Sequence, residues 1–173
     1  MKKTAIIGMK PQDLVVILKI ALQENDSWTQ LALANSLFIS QSEISESIYR
    51  SKYAGLLVNQ GKLVNRQALL NLLQFGVPYV FPQQPGNVVR GVPTAHSSAP
   101  LSEHIISNEH YVWPYAKGEL RGHSIQPLFP TVVQAVQVDP ELHQLLSLVD
   151  ALRVGRARER DLAVEFLKQQ LGD

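Results

Sequence analysis

The sequence predicts an α+β fold in three parts: a helical N-terminal segment ending in a short β-hairpin, a middle module of two related β-hairpins, and a C-terminal helical hairpin. Three observations predict it. Apolar residues recur at helical spacing from Pro11 to about Leu57 and again beyond Asp139. Between them, "YVFPQQPGNVVRG" from Tyr79 and "YVWPYAKGELRG" from Tyr111 write nearly the same phrase twice. An alternating stretch, "LLVNQGKLVN", turns on itself at Asn59-Gln60-Gly61-Lys62. The expected boundaries are 1–76, 77–130 and 131–173.

Each element has a local cause. In "PQDLVVILKIALQEN" the residues Leu14, Ile17, Leu18, Ala21 and Leu22 share one stripe, with Pro11 at a favoured first position. Asp26 or Ser27 is placed to cap a second helix starting at Trp28. A third helix, "QSEISESIYRSKYAGLL", turns Ile44 and Ile48 inward, with Ser40 as cap and Glu43 three residues on completing a capping box. Asn65 caps a fourth helix, "RQALLNLLQF", and Gly76 ends it. At the far end Asp139 caps "PELHQLLSLVDALR", Gly155 breaks it, and "RARERDLAVEFLKQQL" resumes. Arg153, Arg156, Arg158 and Arg160 crowd that junction, read as a solvated corner of weak ion pairs with Asp150, Glu159 and Asp161, the alternative being a basic knob that grips an acidic partner or phosphate.

Composition bounds the function. Of 173 residues, 45% are hydrophobic and 18% charged, ordinary for a soluble globular protein. The absence of cysteine excludes disulfides, thiol nucleophiles and thiolate metal sites. The start "MKKTAIIGMKP" imitates an export leader, but its apolar run stops at Met9, short of the ~7–15 residues of an export core. A cytoplasmic protein with no membrane association is expected. The net charge of +1 hides an uneven distribution. Between Glu46 and Glu103 there is no acidic residue, while Arg50, Lys52, Lys62, Arg66 and Arg90 all fall in that gap.

The stretch "ALANSLFISQSEISESIY" resembles the helix-turn-helix of DNA-binding regulators. Ala34, Leu37, Ile39, Ser40-Gln41-Ser42, Ile44 and Ile48 match the pattern in order. One departure is Phe38, where the family usually has glycine; a left-handed residue there is costly for phenylalanine, so a differently shaped connection is expected. Three helices followed at once by a hairpin resemble the winged helix of bacterial regulators, including the MarR-like group. The resemblance implies a dimer bound to double-stranded DNA, with the third helix in the major groove and the wing on the backbone. Gln41 and Ser42 would then face base edges, and Ser40, Ser45, Arg50, Lys52, Lys62 and Arg66 would position the backbone. Glu43 and Glu46 speak against it, since carboxylates repel phosphate. They leave open a second class, a protein-interaction adaptor whose helix-turn-helix is scaffold.

The repeated phrase reads as two strand–turn–strand units that pair, burying Phe81 and Trp113 and setting Gly91 and Gly122 at a bulge or close approach. Arg90 and Arg121 occupy equivalent places, and they are candidates to converge on one anion or partner carboxylate. A nucleotide-binding module on these arginines is a third reading. His96, His104 and His110, with Glu103 and Glu109, lack metal-ligand spacing and read as loop histidines. No metal or cofactor is expected. No nucleophile elbow or phosphate-cradling glycine loop appears, so no enzymatic activity is expected. The reading is therefore a sequence-specific transcriptional regulator, a repressor whose C-terminal half holds a ligand or a protein partner. Such a partner would suit an antitoxin-like protein.

Overall fold

The computed structural model describes residues 5–172. Part of the leader-like start, residues 1–4, and Asp173 lie outside the described residues.

The first helix, α1 (Pro11–Ala21), opens with proline in its first turn, and the Lys10 amide donates to the Asp13 carboxylate at 2.8 Å. The stripe Leu14, Ile17, Leu18 and Ala21 is buried, and so are Val15, Val16 and Ile20. A helix apolar on all sides is a central one. Here α2 (Gln30–Leu37), α3 (Gln41–Tyr53) and the later α7 (Pro140–Val154) pack around it.

The cap of α2 is Thr29, whose hydroxyl accepts the Ala32 amide at 3.1 Å, in place of the expected Asp26 or Ser27. Trp28 stands just ahead of the helix, buried. Phe38 does adopt the left-handed conformation, with φ 55°, against the expectation from its side chain. That single residue closes α2, and Ile39 behind it drops into the core. Ser40 caps α3, accepting the Glu43 amide at 3.3 Å. The Glu43 carboxylate is turned to the Gln12 side-chain amide at 3.0 Å. Ile44, Ser47, Ile48 and Ser51 form the buried side of α3, which packs on α1 and α2.

Strands β1 (Leu57–Val58) and β2 (Leu63–Val64) pair antiparallel, Leu57 opposite Val64. Helix α4 (Arg66–Phe75) follows, its Asn65 cap accepting the Ala68 amide at 3.2 Å.

The middle module departs from the expected pair of hairpins. Residues Val77–Val80, read as a strand, form a short helix, α5, with Pro78 in its first turn. Three strands remain: β3 (Val88–Pro93), β4 (Tyr111–Pro114) and β5 (Leu120–Ser124). β3 runs antiparallel to both others, β4 and β5 pair in parallel, and the three close into a small barrel. Trp113 is buried as expected, whereas Phe81 is only partly covered. The glycines explain the recurring Arg-Gly. A Cβ on Gly91 would lie 2.0 Å from the Trp113 carbonyl oxygen, and one on Gly122 would lie 2.6 Å from that of His110. Three strands can close on one another only where backbone replaces side chain.

After α6 (Val132–Val136), a helix too short to show in periodicity, come α7 and α8 (Ala157–Leu171). Asp139 caps α7 through the Leu142 amide at 3.0 Å and pairs with Lys19 of α1 at 2.6 Å. Buried residues from all three expected segments belong to one continuous core. Among the described residues no helix is long and apolar enough to cross a membrane.

Candidate nucleic-acid interface

Because the buried side of α3 is narrow, its outward side is broad. Gln41, Ser42, Ser45, Glu46, Tyr49, Lys52 and Tyr53 are all exposed along it, and the capping Ser40 is exposed at its start. Tyr49 and Tyr53 lie with ring centroids 6.5 Å apart, one turn from each other. The site is thus polar at the N-terminal end of α3 and aromatic at the other.

The remaining expected phosphate contacts are differently placed. Arg50 is 8% exposed and lies against Asp13, donating from Nε and Nη2 to the two carboxylate oxygens, each at 2.8 Å. The hydrogen bonds to Asp13 raise its pKa above the usual arginine value, and its charge is satisfied inside the protein. Lys62 donates to the Trp28 carbonyl at 2.7 Å with its ammonium 4.4 Å from the indole centroid, while the indole N–H donates to the Lys62 carbonyl at 3.0 Å. Arg66 donates to the carbonyls of Ala21 and Leu171, each at 3.2 Å, tying α4 to the ends of α1 and α8. Lys52 is exposed. The β1–β2 tip presents Asn59 and Gln60, with Val58 and Leu63 exposed beside them.

In the middle module, Arg90 and Arg121 stand directly opposite each other across β3 and β5, both exposed. The expectation that the two occupy one surface matches this register, although the strands that carry them are not a pair of hairpins.

A polar cluster that sequence reading passed over lies beneath the barrel. Asp150, 1% exposed, accepts from the Thr94 hydroxyl and the Trp113 indole N–H, each at 2.7 Å, and from Arg153 at 2.7 Å. Burial pushes the Asp150 carboxyl up from the usual aspartate range, against the opposing pull of Arg153 and the three hydrogen bonds. Arg153, assigned to a solvated corner, is 7% exposed and also donates to the carbonyls of Phe81 and Gln126 at 2.9 and 3.1 Å. Arg156 and Arg158 do lie exposed at that corner. The one available signal was an Asp-x-x-Arg spacing inside an apolar helix. These contacts are fully made between protein groups, so the cluster holds the barrel on α7.

His96 is buried and bonds the Glu109 carbonyl at 2.7 Å, while His104 is exposed. Among the described residues no group of three or more His, Asp or Glu side chains is placed to hold a metal ion. A shallow cleft of about 610 Å³ opens between β4 and α6, lined by Tyr115, Pro127, Pro130, Val133, Gln134 and Gln137.

Compared with protein-family models, with curated proteins and with solved structures, the chain finds no match.

Proposed function

We propose that the chain is a sequence-specific DNA-binding regulator of the winged helix-turn-helix type, a repressor that reads duplex DNA through α3. One observation carries the reading. α3 is capped, pinned to α1 by the buried Asp13–Arg50 pair, and presents Ser40, Gln41, Ser42 and Ser45 in an unobstructed row. Rigid support behind a polar, exposed helix face is what base-edge recognition requires. In this reading Arg50 positions the helix, and phosphate contact falls to Lys52, to the hydroxyls and to the β1–β2 tip. The cleft between β4 and α6 would take an uncharged effector, or the C-terminal half a protein partner, as in an antitoxin. A homodimer belongs to the proposal, since one helix reads few base pairs. Phe75, Tyr79 and Val80, exposed together around the end of α4 and in α5, offer apolar surface for it.

The second reading, a protein-interaction adaptor, is favoured by the exposed apolar side chains of α2 and α3. Tyr49, Tyr53, Phe38 and Leu31 are each about half exposed or more, and the exposed Glu46 lies one turn before Tyr49 on α3. Titration of duplex DNA against salt separates the two readings. DNA binding of this kind gives selected sequences a clear preference over random duplex and a shallow salt slope, which Lys52→Ala lowers by about one. Duplex binding that is absent at low salt leaves the adaptor.

A further inference from the structure

We propose that Arg90 and Arg121 form a two-guanidinium clamp for a phosphate group. Residues directly opposite in an antiparallel pair send their side chains from the same face, with Cβ atoms roughly 5 Å apart. Like charges so placed destabilise a sheet unless something anionic lies between them. The protein does not supply that anion: among the described residues neither guanidinium has a carboxylate oxygen within 4.0 Å. Glu119, two residues before Arg121, pairs with neither.

The fold requires the glycines of the repeated Arg-Gly, and it does not require the arginines. Gly91 and Gly122 are where the barrel closes on backbone. The positions before them face outward and are exposed, and only Arg90 touches the closure, through a single bond to the Gly118 carbonyl. Two arginines nonetheless stand there, and they are the side chains best suited to a tetrahedral oxyanion, which accepts forked hydrogen bonds from each. Arg90 is held in place by one donation, from Nη1 to the Gly118 carbonyl at 3.2 Å, which leaves its other donors available. Arg121 makes no side-chain hydrogen bond among the described residues. The turn under Arg90 adds the exposed Lys117.

Two residues along the sheet, His123 stands opposite Val88, with Tyr111 beside it at 6.3 Å between ring centroids. These rings flank the clamp on one side, where the base attached to a phosphate would rest. The shared chemistry is thus a phosphate carried by a free nucleotide or by a nucleic-acid strand. The inference rests on neither α3 nor the β1–β2 tip.

The test is NMR of the arginine side-chain Nε–Hε groups in the full chain, titrated with inorganic phosphate, a 5′-mononucleotide, a single-stranded oligonucleotide and a duplex. Arg90 and Arg121 are expected to shift together with each phosphate probe that binds, and either Arg→Ala change should weaken binding about tenfold or more. The probe that shifts Arg90 and Arg121 at the lowest concentration then names the source: the mononucleotide a nucleotide site, the oligonucleotide or duplex a strand. Inorganic phosphate and the mononucleotide carry no duplex for α3 to read, so their shift of Arg90 and Arg121 reports the clamp alone, and failure of the clamp and failure of the α3 reading are distinguishable. If Arg90→Ala disturbs the turn through its lost Gly118 contact, Arg121→Ala still decides. The proposal is overturned if no phosphate probe shifts the pair, or if chloride at equal ionic strength does so equally. It is also overturned if the double variant binds inorganic phosphate and the mononucleotide as well as the original does, or if an acidic peptide shifts the pair at lower concentration than every phosphate probe.

Discussion

Removing one partner of the Asp13–Arg50 pair leaves the other charge buried without compensation. Arg50→Ala should therefore cost about 3–5 kcal/mol of stability in chemical denaturation. It should do so without the change of salt slope expected of Lys52→Ala, because Arg50 faces α1. Asp150 makes a different demand. Its carboxyl is pushed up by burial, so the folded chain keeps a proton that the unfolded chain has already lost. The stability tied to that proton is present in full below the ordinary aspartate pKa of about 4 and is lost as pH rises through the folded value. Asp150→Asn cannot titrate. The stability gap between the original and this variant should narrow as pH rises above about 4, and denaturation curves collected across that range check it. A gap that widens with rising pH would mean that Arg153 outweighs burial.

Among the elements, the closed barrel of β3, β4 and β5 depends on backbone meeting backbone. Gly91→Ala puts a methyl 2.0 Å from the Trp113 carbonyl oxygen, where no side chain can swing aside. It should cost about 3 kcal/mol or more, the upper end of overpacking, read from the urea midpoint. Gly8→Ala is the matched control, since a Cβ there meets nothing within 4 Å, and it should leave the midpoint in place. The strands could not be paired correctly from their own letters. The phrase beginning at Tyr79 has the aromatic and β-branched content of a strand, yet its first residues end in α5 because no neighbouring strand is there to receive them. β4 and β5, separated by a turn of five residues, lie parallel because β3 is the strand antiparallel to both.

For the whole molecule, α1 is the axis. It receives α2 and α3 from the N-terminal half and α7 from the C-terminal half, and the Lys19–Asp139 pair and the Arg66–Leu171 bond span the same divide. Buried residues from all three segments share one cluster. Heat or denaturant should accordingly produce one transition, with coincident circular-dichroism and tryptophan-fluorescence curves reporting Trp28 and Trp113 together. A fragment ending at residue 130 exposes α1 where α7 covered it, and it should not fold alone. Two separate transitions would show that the halves are stabilised independently.

By itself the sequence determined what is settled within a few residues: the α+β class, the caps Ser40, Asn65 and Asp139, and the buried Ile44 and Ile48 of α3. Each follows from a hydrogen bond three residues long or from a spacing that repeats along one helix. The outward row from Ser40 to Ser45 was legible for the same reason. Tertiary structure alone decided which cations are free. Asp13 reaches Arg50 across 37 positions, Lys62 reaches Trp28 across 34, and Phe81 reaches Arg153 across 72. Tertiary structure also decided strand order and the meeting of Arg90 with Arg121. A charge is described by its residue type, but its partner is chosen by packing between distant segments, and no local pattern records that choice.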